Sequence, residues 1–375
     1  MKYDLEFNPD RYRVETAETE GKRLVYRAYE DLVYVKRPSA PEYQKMNIYV
    51  PEAYWEGDSI GAYDRNTAPV FLANTVGGYM PGKPEKPGNN HLGRTNTLFQ
   101  ALLHGYVAVS VGARGRGLTG EDGSFIGCAP AWIVDLKAAV RYLKYNRDRI
   151  CGSMSHIISN GTSAGGALSA LLGVTGNHPD YESFLEEAGA ACAEDDIFAA
   201  SCYCPITNLE HGDMVYEWEF NGYDNYQRMH GIRDEKTGER KMVPLTGIQS
   251  AEQRKMSDEL KILFPAYVNG LHLKDEKGNC LKLEEDGNGS FKEYVKARVM
   301  ESIQKAMEEG TDFSGFPWIT VRKGKAVDVD FEQYVAYRTR MKTTPAFDEV
   351  ALTTPENELF GNKTTASRHF TRFSL

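Results

Sequence analysis

The run His156-Ile157-Ile158-Ser159, then Gly161-Thr162-Ser163-Ala164-Gly165, then Gly166 to Leu172, constrains the fold more than any other part of the chain. A short apolar strand, a serine bracketed by glycines and a helix of small and aliphatic residues describe a strand that turns sharply into a helix. The G-x-S-x-G pattern alone is weak, since ordinary Gly and Ser usage yields a chance match in roughly one chain of this size in ten. Its flanks make it specific. Such a turn holds the serine in a strained conformation and exposes its hydroxyl at the carboxyl edge of a sheet, and the glycines let neighbouring backbones come close.

The surrounding sequence supplies that sheet. Apolar runs at Met46–Val50, Pro69–Ala73, Tyr106–Val111, His156–Ser159 and Ala199–Cys204 predict strands. Between them, Asn96–His104, the face formed by Ile133, Leu136, Val140 and Leu143, and Gly166–Leu172 predict helices. Strands alternating with helices imply a mostly parallel central sheet, here of the α/β-hydrolase fold. After about residue 210 the chain becomes charged and helical. Ser250 with Gln253, and Ser290 with Glu293, read as capping boxes, and the second opens a helix striped by Val295, Val299, Ile303 and Met307. That stripe is core packing. The expected organisation is a core over 1–209, a large, mainly helical lid over 210–364, and a return toward the core at 365–375.

Composition narrows the function. With 41% hydrophobic residues the chain can bury a large core, and 44 basic against 53 acidic residues leave a net charge of -9. No Lys/Arg cluster interrupts that balance, which argues against a nucleic-acid or anionic-membrane partner. The opening MKYDLEFNPDRYRVE lacks the apolar core of a signal peptide, and no run approaches the ~18–20 apolar residues of a membrane span. A cytoplasmic protein is expected. Among six cysteines, Cys202 and Cys204 alone lie close together, in neither a zinc nor a redox spacing, so reduced and mostly buried thiols are expected.

A serine nucleophile needs donors for the oxyanion and a general base held by an acid. The N–H of Ala164, just after Ser163 at a helix N-terminus, is one expected donor. The N–H of Gly77, in the loop Asn74-Thr75-Val76-Gly77-Gly78-Tyr79, is the other. The base is not evident. His178 lies too near the elbow helix to fold back, and His211, His230 and His272 fall in or beside the inserted region. His369 alone is late enough, yet no closing helix follows it. Asp213 is an acid candidate, set against the plainer reading of a surface carboxylate.

Long blocks of this sequence resemble the bacterial tannases, or tannin acylhydrolases: NIYVPEAY, NTVGGYMPG, VDLKAAVRYLKYN, NGTSAGGALSALLG, CPITNLEHGDMVYEWEFNG and RMKTTPAFDEVALTTPENELFG. The resemblance runs from about residue 25 to the last few residues. It implies a lidded α/β hydrolase that cleaves galloyl esters of gallotannins through an acyl-enzyme, with no metal or organic cofactor. Ser163 matches the family nucleophile, and Gly77 and Ala164 match the oxyanion-hole positions. Lys342 and Glu356 match lid residues that bind the galloyl ring hydroxyls; the residues alone would read as solvated surface charges. His369 matches a position that is not catalytic.

The family's catalytic aspartate and histidine, and a further acidic ring-binding residue, match nothing before Leu375. The resemblance therefore leads us to expect a C-terminally truncated chain with little turnover of its own. Two other readings stay open. One is an esterase for feruloyl or other phenolic acyl groups; the other is a catalytically dead hydrolase-fold protein used for binding.

Overall fold

A computed structural model describes residues 3–90, 93–233 and 240–375, without the side chains of 230–233 and 240–241, so that of His230 lies outside the described residues. The chain divides into two compact units, Met1–Thr207 with Leu352–Arg368, and Asn208–Ala351 with His369–Leu375.

The first unit is built on strands β1 (Arg13–Thr19), β2 (Lys22–Val33), β3 (Lys45–Pro51), β4 (Pro69–Asn74), β5 (Val107–Val111), β6 (Ser153–Thr162) and β7 (Ala199–Tyr203). They form one sheet in the order β1-β2-β3-β5-β4-β6-β7. Pairing is antiparallel from β1 to β5 and parallel from β5 through β4 and β6 to β7. Every strand expected from an apolar run is present within a few residues. β5 is buried along its whole length, as a strand covered on both faces should be. β1 and β2 escape a reading based on apolar runs because their sequences, RVETAET and KRLVYRAYEDLV, are rich in charge. Their turn, Glu20-Gly21, has φ of 53° and 72°, the left-handed pair that matches the twist of a two-residue hairpin.

Helices α1 (Ala53–Glu56), α2 (Thr97–Leu103), α3 (Ala131–Tyr145), α4 (Ala164–Val174) and α5 (Glu182–Ala188) belong to the same unit. The Asn96 side chain accepts the Phe99 N–H and starts α2. On α3 the predicted face is fully buried, and each of Ile133, Leu136, Val140 and Leu143 contributes about 1.5–3 kcal/mol by leaving water. Its polar face is buried too. Asp135 accepts from Arg114 and Gln44, and Lys137 bonds Asp195 at 2.8 Å, so no buried charge is left alone.

The six cysteines are free, but the expectation that they are mostly buried fails. Cys192, Cys204 and Cys280 are exposed and Cys202 is intermediate. Among the described residues β7 is an edge strand, so the segment of Cys202 and Cys204 pairs with β6 on one side only.

The second unit contains α6 (Gly212–Phe220), hairpin β8 (Asn225–Arg233) with β9 (Arg240–Ile248), α7 (Ala251–Lys261), α8 (Phe264–Gly270), α9 (Ser290–Glu308), hairpin β10 (Ile319–Arg322) with β11 (Lys325–Val329), and α10 (Phe331–Arg338). The two hairpins qualify the expectation of a mainly helical segment. β9 hides its strand character behind Pro244 and Gly247. The capping box at Ser250 and Gln253 is present. The one expected at Ser290 is not: Gly289, at φ 128°, is the N-cap, and the Ser290 hydroxyl accepts the Lys282 N–H instead. Ile303 of the predicted stripe is buried with Trp318, Ile319 and Val329, and Val299 and Met307 pack against them.

Residues 352–368 group with the first unit and carry α11 (Pro355–Leu359), which is capped by the Thr354 side chain. No helix among the described residues is long and apolar enough to cross a membrane.

Candidate active site

Ser163 stands between the end of β6 and the start of α4 with φ 59° and ψ -121°. This backbone state costs a non-glycine residue roughly 1–3 kcal/mol, and the packing around it explains how it is held. The Ser163 N–H donates to Tyr203 O at 2.9 Å, and Ser163 O accepts from Ile206 N and Ala167 N. A Cβ on Gly161 would lie 2.2 Å from Gly165 O, and one on Gly165 would lie 2.5 Å from Asn74 Oδ1 and 2.8 Å from Val76 O. Both glycines are therefore required by close approach. The sequence pattern is a packing constraint as well as a chemical one.

Asn74 is a positioning residue that sequence reasoning passed over, although it opens the loop already singled out. Its Nδ2 donates to Asn160 O at 3.1 Å, Gly165 O at 3.0 Å and Ser169 Oγ at 3.1 Å, while its Oδ1 accepts the Val76 N–H. One side chain thus ties the β4 loop to both sides of the elbow. β4 and β6 are paired in parallel with Ala73 opposite Asn160, so the segments leading to Gly77 and Ser163 leave the sheet side by side at its carboxyl edge. Among the described residues no acceptor takes the N–H of Gly77 or Ala164.

Beyond Gly77, the loop closes with a Met80 N–H to Gly77 O bond of 3.0 Å. Tyr79 is buried at φ 57°, and its hydroxyl donates to Ile206 O at 3.0 Å. Burial, and then the charge of Glu356, push its phenol well above the usual tyrosine range. Glu356 lies in the first turn of α11 with 4% of its surface exposed. Its Oε2 has no hydrogen-bond partner among the described residues. A buried carboxylate oxygen without a donor is costly. The expectation of a solvated surface charge from residue type alone is corrected here.

Lys342 belongs to the second unit, its Nζ 4.1 Å from the Phe347 ring centroid. Asp213, also there, is no surface carboxylate: it is 3% exposed and accepts Phe347 N at 2.7 Å and Asp348 N at 3.1 Å. Of the described first-unit histidines, His104 precedes β5 and His156 lies early in β6, bonded to Ser153 and Ser155. His178 follows α4, whose 11 residues carry it about 16 Å from Ser163. All three sit toward the opposite edge of the sheet from Ser163. In the second unit, His211 stacks on Tyr267 at 3.8 Å, and His369 Nδ1 lies 2.8 Å from Asp348 Oδ1. His272 has φ 51° in the turn after α8. No described cluster of His, Cys, Asp and Glu could hold a metal ion.

Known proteins share this architecture. The family described as BD-FAE matches residues 63–214, which include the β4 loop and the elbow. A crystal structure of Fusobacterium nucleatum tannase superposes with a TM-score of 0.94 at 49% identity, covering 99% of this chain and 79% of that one. Tannase from Lactobacillus plantarum does so at 0.94 and 43% identity, over 99% and 80%. A tannin acyl hydrolase in complex with ethyl gallate superposes at 0.91 and 42% identity, over 99% and 79%. In Mycobacterium tuberculosis, "Probable carboxylic ester hydrolase LipM" is 28% identical over 46% of this chain, and the aligned stretch is 36% of LipM. The stretch shared with Esterase LipC, at 43% identity, spans 16% of this chain and 14% of LipC.

Proposed function

The chain belongs to the bacterial tannase family, and on that premise we propose that it acts on galloyl esters through an acyl-enzyme on Ser163. The observation that carries the substrate class is the unpartnered, buried Glu356 oxygen in the same unit as the elbow. Phenolic hydroxyls are strong donors to a carboxylate, whereas a methoxylated ring offers fewer of them. A relative's complex with ethyl gallate supports the same class. Lys342 takes a share in ring recognition on the family resemblance.

In the proposed reaction Ser163 Oγ attacks the ester carbonyl carbon while a histidine base accepts its proton. The carbonyl oxygen becomes an oxyanion and receives the N–H groups of Gly77 and Ala164, a contribution worth about 3–4 kcal/mol per donor in comparable sites. Collapse breaks the bond to the alcohol, which leaves with the proton. Water then adds to the acyl carbon, and release of the carboxylate restores the Ser163 hydroxyl. No described first-unit histidine is placed to serve as the base.

Gallate release from methyl gallate by an active bacterial tannase tests the nucleophile: the change equivalent to Ser163→Ala there should abolish it, and turnover within a few-fold of that enzyme's own would refute the assignment. Ring recognition is tested without turnover, by calorimetric binding of ethyl gallate to the parent chain and to Glu356→Gln. Binding that survives the substitution unchanged, or methyl ferulate bound as well as the gallate, would favour the broader phenolic-ester reading.

A further inference from the structure

Arg116 joins two parts of the first unit that the sequence presents as unrelated. Its backbone N–H donates to Tyr79 O at 2.8 Å and its Nε to Gly78 O at 2.7 Å, both on the loop that carries Gly77. Its Nη1 forms an ion pair with Glu358, on α11 two residues after Glu356. The segment around Arg116 is packed between loop and helix. A Cβ on Gly115 would fall 2.3 Å from Met80 C and Pro81 N, so this stretch lies directly against the loop backbone. On its other side the Ala129 N–H donates to Leu359 O at 2.8 Å and the Phe125 N–H to Lys363 O at 3.0 Å.

We propose that Arg116 is a positioning residue, coupling the oxyanion loop to the helix that presents Glu356. The inference rests on the roles given above to Gly77 and Glu356. Its rationale lies in the substrate. In a benzoate-type ester the carbonyl is conjugated with the ring, so the spacing from the carbonyl oxygen to the ring hydroxyls is nearly rigid. An enzyme that holds both ends must keep its two recognition elements at a matching distance, because a displacement of about 1 Å can cost a hundredfold in rate. A planar guanidinium suits that task, since the angle between its Nε–H and Nη1–H donors is fixed. A lysine ammonium could hold one partner, but it lacks the fork that fixes the pair.

Amide hydrogen exchange on the folded full chain reads the coupling without turnover. The reporters are the Met80 N–H, bonded to Gly77 O, and the Phe360 N–H, bonded to Glu356 O at 3.1 Å. Arg116→Ala should speed exchange at both by at least fivefold. Glu358→Gln weakens the helix end of the link and leaves the bond from Arg116 to Gly78 O in place. It should still speed exchange at Met80 at least threefold, an effect that a local role for Glu358 would not produce. Arg116→Lys should restore neither reporter. If Arg116→Ala lowers the melting temperature enough to unfold the chain, the Glu358→Gln result decides.

Met80 exchange unchanged in Glu358→Gln, or full rescue by Arg116→Lys, would overturn the coupling. Undiminished ethyl gallate binding by Glu356→Gln would overturn the ring assignment alone, and the link between Glu358 and Met80 would still be measurable.

Discussion

His369 donates or accepts through Nδ1 at 2.8 Å from Asp348 Oδ1, and the second oxygen of the same carboxylate accepts Phe370 N, Thr371 N and the Thr371 hydroxyl. Asp348 is fully buried, so one carboxylate fastens the two separate segments of the second unit, 208–351 and 369–375. An aspartate behind a histidine also makes up two of the three members of a catalytic triad, but these bonds already give the pair a structural task.

Burial works against the Asp348 charge, yet the N–H groups of Thr371 and Phe370 together with His369 outweigh it and hold the carboxyl below its usual range. A depressed carboxylate stabilises the fold above the unfolded value of about 3.9, and that contribution is lost as pH falls through the folded value. Asp348→Asn should therefore cost about 2–3 kcal/mol near pH 7 and weaken the acid limb of the stability profile. Urea unfolding between pH 3 and 7 measures both.

Asp213 behaves in the opposite sense. Burial raises its carboxyl to about 6, while the N–H groups of Phe347 and Asp348 oppose the shift. A raised acid contributes fully below its unfolded value and loses that contribution as pH climbs through the folded one. Between about pH 4 and 6 the penalty of ionising Asp213 should remove about 3 kcal/mol. Asp213→Asn should flatten that window. Parallel slopes for parent and variant would show that the carboxyl is ionised at its ordinary value.

Glu356→Gln separates function from stability. The Oε2 atom has no donor among the described residues, so the substitution breaks no hydrogen bond at that atom and should leave the stability within about 1 kcal/mol of the parent. The same change should weaken ethyl gallate binding. A variant both less stable and unimpaired in binding would identify Glu356 as a structural carboxylate.

Gly165→Ala tests the packing behind the elbow. The added carbon would meet Asn74 Oδ1 at 2.5 Å and Val76 O at 2.8 Å, neither of which is the free end of a flexible side chain. Overpacking of this kind costs roughly 1–3 kcal/mol. Movement of the β4 loop should also slow acylation of Ser163 by an activated ester. Labelling at the parental rate in a folded variant would show that the loop can retreat without loss.

Lys342→Ala tests the share in ring recognition proposed for that residue. Binding of ethyl gallate should weaken by roughly tenfold, with methyl ferulate less affected, since each charged hydrogen bond is worth about 1.5 kcal/mol or more. Equal losses for both esters would point to a general effect on the unit.

What the sequence determined by itself was whatever short-range physics specifies. An apolar strand, two glycines forced by close approach and a helix of small residues sufficed to place Ser163 at the elbow. The apolar run Tyr106–Val111 declared a strand, and Ser250 with Gln253 declared a helix start. The placement of Gly77 and Ala164 beside those turns followed because it is set within a few residues. Long-range placement was not legible. Nothing local distinguishes Glu356 from its exposed neighbours, because its burial depends on residues 352–368 joining a unit that otherwise ends at Thr207. Asp213 looks like any carboxylate near a helix start until Phe347 and Asp348 arrive from over 130 positions away. Arg116 and Glu358 are 242 residues apart, and only the fold makes them an ion pair. A side chain's type fixes what it can bond, but the tertiary structure decides which of those bonds the chain itself completes and which it leaves for a substrate.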